Sequence, residues 1–156
     1  MKKIRNAFFA GFLFAAAFAP SFASAHGDVT PHPIDTQGLE QLGAEWRDKN
    51  PYSGQEAAIH IGTSGYGQNC ARCHGLQAIS GGIAPDLRRL DLDCKDMTNA
   101  AKKAACFQEV DKYFLTSVRR GKSRNDKVYM PPFEGILSQE AIWAIRSYIQ
   151  SVPFEE

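Results

Sequence analysis

The chain has 156 residues, one domain's worth of sequence. Its 18 basic and 17 acidic side chains leave a net charge of +1, without the basic excess that a nucleic-acid binder carries. The average hides two regions: the first 25 residues hold six of the ten Phe, three basic groups and no acidic one, so the remainder has 15 basic against 17 acidic groups, a net charge of −2.

Lys2, Lys3 and Arg5 precede an uncharged run from Ala7 to Ala19, followed by Pro20 and the small residues Ala23-Ser24-Ala25. A basic start, a short apolar stretch and an A-x-A site read as a secretory signal peptide over 1–25, cut before His26. The run falls short of the ~20 residues that span a bilayer. No later segment is apolar enough to do so, and the expectation is an exported, periplasmic protein without a membrane anchor. Its cysteines then meet an oxidising space.

Residues 26–52, rich in Pro and Gly, read as an N-terminal arm laid over a domain at 53–156. One short helix is expected around Gly38–Lys49, where Leu39, Leu42 and Trp46 can share a face. A helix from about Gln55 to Cys70 follows, then an irregular loop from Gly75 to Pro85. Thr98 is placed to cap a helix whose Phe107, Val110, Phe114 and Val118 form an apolar stripe, stopped by Gly121. Lys122–Pro132 reads as a polar loop, and Ser138 opens a last helix lined by Ala141, Ile145, Tyr148, Ile149 and Val152. No period-2 pattern of any length occurs, so the fold class expected is all-α.

The feature of highest specificity is Cys70-Ala71-Arg72-Cys73-His74. C-x-x-C-H places two thiols one helical turn apart, able to add to both vinyl groups of one haem c, while the adjacent imidazole reaches the iron. A thioredoxin-like redox pair would need a strand–helix context, which is missing, and a zinc site would need two further close ligands. For the sixth iron ligand, export leaves Met97 and Met130 and three other histidines, His26, His32 and His60. Met130 sits in Val128-Tyr129-Met130-Pro131-Pro132, where proline stiffens the backbone and can hold a flexible thioether in place. The metal ligands expected are His74 and Met130; Met97 and His60 read as packing or surface residues.

These residues resemble the class I monohaem cytochrome c family. Gly62, Tyr66 and Cys70 reproduce its G-x-x-x-aromatic-x-x-x-C spacing, and Ala84-Pro85-Asp86-Leu87 is similar to its haem-loop "PDL". The resemblance implies that Pro85 accepts a hydrogen bond from His74 through its carbonyl, and that Gly62 lets the last helix cross closely with Tyr66 near Ile145 and Tyr148. It covers Ser53–Phe154 in the order attachment site, Pro, Met, last helix. More narrowly, His26 to Pro31, Asn69 to Leu87 and Tyr129 to Phe133 resemble periplasmic cytochromes c that accept electrons from quinoprotein (PQQ-dependent) ethanol dehydrogenases. That resemblance implies such an alcohol dehydrogenase as electron donor, with a methanol-type enzyme as the alternative, and a terminal oxidase or another cytochrome as acceptor.

Cys94 and Cys106 remain. In an oxidising compartment a disulfide is the natural reading, with two buried free thiols as the alternative. Arg119, Arg120, Lys122, Arg124 and Lys127 cluster before Met130, fitted either to steer an acidic partner or to compensate haem propionates. The function expected is a one-electron carrier, not an enzyme. A haem enzyme or gas sensor would instead need a vacant or labile sixth position.

Overall fold

The computed structural model describes residues 30–154. The signal-peptide reading over 1–25 and the start of the arm at 26–29 lie outside the described residues. Among the described residues five helices follow one another: α1 (Glu56–Asn69), α2 (Ala71–His74), α3 (Leu92–Lys95), α4 (Ala100–Arg120) and α5 (Gln139–Ser151). Short 3₁₀ turns occupy Leu76–Ala78 and Leu87–Asp91. The fold of the described residues is mostly helical, in line with the all-α class expected.

The architecture turns on the crossing of α1 and α5. α1 is rich in small residues, and a Cβ on Gly62 would stand 1.9 Å from the carbonyl oxygen of Ala144, so the two backbones touch there. Tyr66 packs on Tyr148 with ring centroids 5.1 Å apart. α5 is buried almost all round: Ala141, Ile142, Trp143, Ala144, Ile145 and Ile149 all belong to the core. Ser138 caps it, its hydroxyl accepting from the Ala141 amide.

α4 begins one residue later than Thr98 would set it. Asn99 is the cap, its side chain accepting from the Lys102 amide at 3.0 Å. Phe114, Leu115 and Val118 bury one face of this helix, and Gly121 ends it at φ +69°. The segment after it is not the loop expected. It is a hairpin of β1 (Lys122–Arg124) and β2 (Lys127–Met130). Its tip residues Asn125 and Asp126 both adopt positive φ, the backbone that a two-residue hairpin turn requires and that these two side chains tolerate. The strands are too short to show in a hydrophobic period.

The arm helix expected around Gly38–Lys49 does not form. Gly38 and Gly43 both take left-handed φ, and the amides a helix would use are bound elsewhere. The Leu42 amide donates to Glu140 Oε1 at 2.8 Å and the Arg47 amide to Gln139 Oε1 at 2.7 Å, while Gln139 Nε2 donates to the Glu45 carbonyl at 3.0 Å. Two adjacent side chains at the start of α5 thus grip the arm backbone. Leu39 and Leu42 are buried in the same core as Tyr52, and Trp46 packs against it under the Arg119 guanidinium.

Burial raises the Glu140 carboxyl, but hydrogen bonds from the Leu42 amide, its own amide and Ser138 outweigh this and hold it below its ordinary 4.5. A carboxyl lowered by folding contributes stability above its unfolded pKa and loses it as pH falls through the folded value. Acidification below about pH 4.5 is therefore expected to free the arm first. The Leu42 amide should then exchange faster, and Glu140→Gln should show fast exchange already at neutral pH. Equal protection in both proteins at pH 7 would refute it.

Candidate haem site

α1 delivers Cys70 at its end, and the next turn carries Cys73 and His74 on amides that donate to the Cys70 carbonyl at 3.1 and 3.0 Å. Both thiols are free. Burial, with Cys73 adding to it, pushes the Cys70 thiol up to about 12, so this sulfur stays protonated in an apolar wall. Gly75 then turns the chain at φ +79°; a Cβ there would meet the Ile79 carbonyl oxygen at 1.8 Å. The Tyr66 hydroxyl donates to the Gly75 carbonyl at 2.8 Å, tying α1 to the turn.

His74 Nδ1 lies 2.8 Å from the Pro85 carbonyl. A carbonyl only accepts, so Nδ1 carries the proton and Nε2 keeps the lone pair that a metal needs. Pro85 is fixed from both sides. Ser80 donates to the Ala84 carbonyl at 2.5 Å, and Asp86 accepts from the Arg88 amide at 3.0 Å and is paired with its guanidinium. Arg88 holds the Asp86 carboxyl below the usual carboxylate range. Arg88 and Arg89 both stack on Phe154, with each guanidinium carbon 5.2 Å from the ring centroid.

Met130 ends β2 and is half-buried. Gly121 matters here beyond ending α4: a Cβ on it would lie 2.3 Å from the Met130 carbonyl oxygen and under 3 Å from Pro131 and Pro132 backbone. Beyond the prolines, the Phe133 and Glu134 amides donate to the Val118 and Arg119 carbonyls, so the end of α4 is capped by the segment that carries the methionine.

Cys70, Cys73, His74, Pro85 and Met130 all line one cavity of about 320 Å³. The rest of its wall is mainly apolar, with Leu87, Leu90, Phe114, Val118, Phe133 and Ile149, and Lys122 is its one Lys or Arg. Met97 and His60 are elsewhere and exposed. Among the described residues no group of three or more His, Cys, Asp or Glu is arranged to hold a bare metal ion. A flat apolar macrocycle with a central iron fits this donor set: two free sulfurs on one turn, an oriented imidazole and a thioether on one mainly apolar cleft.

Cys94 of α3 and Cys106 of α4 are joined by a disulfide, with Cα atoms 5.6 Å apart. Reading the sequence alone missed a second cluster behind the cavity. Arg146, with no exposed surface, donates to Asp91 at 2.9 and 2.5 Å and to Asp111 at 2.8 Å. Asp111 also accepts from the Asn50 amide, and Asn50 donates to Ser147. A lone arginine in a helix with apolar residues on every side was the available signal, because a buried cation needs buried anions.

Fold and site together define a c-type cytochrome, an electron carrier with a covalently bound haem. A family described as "Cytochrome C oxidase, cbb3-type, subunit III" matches residues 57–149, and the chain belongs to this family. It is 51% identical to cytochrome c550 of Pseudomonas aeruginosa over 140 residues, covering 87% of each chain. Two Pseudomonas putida proteins are also similar. Quinohemoprotein alcohol dehydrogenase ADH IIB is 29% identical over 110 residues, 70% of this chain and 13% of that protein. Quinohemoprotein alcohol dehydrogenase ADH-IIG is 47% identical over 38 residues, 24% of this chain and 5% of that protein. No solved structure matches. No helix among the described residues is long and apolar enough to cross a membrane.

Proposed function

We propose that this chain is a periplasmic one-electron carrier whose haem is bonded to Cys70 and Cys73 and whose iron is held by His74 and Met130. Its donor on this reading is a PQQ-dependent alcohol dehydrogenase, and it passes electrons towards a terminal oxidase. The observation that carries the reading is the shared cavity: two thiols and an imidazole from the turn at Cys70–His74 and a thioether from the end of β2 border one apolar cleft. The similarity to parts of two quinohemoprotein alcohol dehydrogenases, 110 and 38 residues long, supports the donor.

The haem supplies a ferric–ferrous couple, and the chain changes no bond of an organic substrate. Its own residues set the terms of transfer. The Pro85 carbonyl orients the His74 ring and raises its basicity. Pro131, Pro132 and the close approach at Gly121 hold the Met130 thioether in place. The apolar wall keeps water out, so little solvent reorganises when the charge changes. With the haem bound, a thioether from Met130 together with the His74 imidazole would favour the ferrous state relative to two imidazoles. Met130→His is thus expected to lower the midpoint potential and to give a bis-imidazole spectrum. An unchanged potential would move the ligand elsewhere.

Of the basic cluster, Arg119 is occupied by Glu134 and Trp46, and Lys122 stands 4.5 Å over the Tyr113 ring at the cavity mouth. Arg120, Arg124 and Lys127 remain exposed beside Val128 and Tyr129, which are 65% and 66% exposed. On the proposed reading this hairpin face meets an acidic surface of the donor, and charge steering sets the encounter rate. The test is anaerobic mixing of the holoprotein with purified quinoprotein ethanol and methanol dehydrogenases, each with its alcohol, while the haem band is followed. Reduction by the ethanol enzyme, slowed by salt and by Arg124→Glu/Lys127→Glu, is the expected result. No reduction by either enzyme would overturn the donor, and faster reduction by the methanol enzyme would reassign it.

A further inference from the structure

Asp91, Asp111 and Arg146 form a buried group with two carboxylates and one guanidinium, a formal charge of −1. It stands directly behind the cavity wall. Leu90, which lines the cavity, precedes Asp91 in the chain, and Phe114, which also lines it, has the Arg146 guanidinium 5.7 Å from its ring centroid. All three side chains are nearly without solvent contact, so their fields are weakly screened. The parts come from distant segments: the 3₁₀ turn at Leu87–Asp91, α4 and α5. The disulfide from Cys94 to Cys106 ties the segment bearing Asp91 to the helix bearing Asp111.

We infer that Asp91 and Asp111, both paired with the one guanidinium of Arg146 in the interior, are tuning residues that hold the reduction potential of the neighbouring haem down. Adding one electron to the site makes it one unit more negative, and fixed negative charge within a low-dielectric wall opposes that step. The cation shared between the two carboxylates offsets only one of them. The group thereby biases the carrier towards the ferric state, at a potential below that of the same cavity with a neutral back wall. This rests on the haem occupying the cavity described above.

The test separates charge from packing by the sign of the change. Asp111→Asn and Asp91→Asn each remove one negative charge while nearly preserving shape, and both are expected to raise the midpoint potential. Loosening of the wall alone admits water, favours ferric haem and moves the potential the opposite way. Asn50→Ala weakens the arm's attachment to the same group without changing charge, and should leave the potential unchanged or lower it. Potentials would be measured by equilibrium redox titration of purified holoprotein. A normal haem spectrum with an unchanged or lowered potential in both Asp→Asn variants overturns the inference. A wild-type product without a haem band would instead overturn the reading of the cavity on which it rests.

Discussion

Gly62→Ala is expected to destabilise the protein by about 3 kcal/mol, the upper part of the usual range for overpacking. The added methyl would lie 1.9 Å from Ala144 O, 2.5 Å from Ala144 C and 3.0 Å from Ile145 N. All three atoms are backbone in the middle of α5, so no side chain can swing aside. Relief requires the helices to part along their whole crossing, which opens the core around Tyr66 and Ile145. The gain in helix propensity on replacing Gly, about 1 kcal/mol, is too small to offset this. Gly67 on the same helix is the internal control, since a Cβ there meets nothing within 4 Å. Gly67→Ala should therefore stabilise by a few tenths to 1 kcal/mol, roughly. Thermal unfolding followed by circular dichroism separates the two, with Gly62→Ala melting lower by on the order of 10 °C. A Gly62→Ala protein that melts with the wild type would mean that α1 and α5 do not touch at this point.

What could be read from the chain divides by the range of the interactions involved. Cys70, Cys73 and His74 lie on one helical turn because their spacing fixes it; of the stripe expected on the last helix, Ala141, Ile145 and Ile149 are buried and Tyr148 and Val152 half-buried, while α5 is covered on its other sides as well, which a one-sided stripe does not foretell. That Gly62 and Tyr66 meet α5 is what the family resemblance implies, and α1 and α5 do cross there. The arm was misread because its backbone amides find partners at Gln139 and Glu140, more than 90 residues away, and no local periodicity records such a bond. The hairpin escaped notice because a tip of Asn125 and Asp126 between three- and four-residue strands carries little hydrophobic signal. Within the site, Pro85 was reached only through a family resemblance, since its carbonyl meets His74 by way of loop packing. Gly121 passed for a plain helix stop. Its second duty, admitting the Met130–Pro132 backbone, depends on where the chain returns.

Arg146→Met is expected to cost about 3–5 kcal/mol, because it leaves two carboxylates buried without their cation. The size of that loss says little about what the ion group contributes as a whole. Desolvating one guanidinium and two carboxylates offsets most of their attraction, and apolar replacements of a complete buried group are often neutral or better. Replacing all three residues, Asp91→Leu/Asp111→Leu/Arg146→Met, should therefore recover most of what the single substitution loses. Recovery will be incomplete. The Asn50 amide donates to Asp111 Oδ2 at 2.8 Å, and without that acceptor a buried donor is left unpaired at a cost of about 1–3 kcal/mol. Urea unfolding of the holoproteins gives the comparison directly. The triple variant should fall between wild type and Arg146→Met, with the remaining deficit traceable to the arm by faster exchange of the Asn50 amide. A single variant within 1 kcal/mol of wild type, roughly the error of such measurements, would show that water reaches these carboxylates and that the wall behind the cavity is not dry.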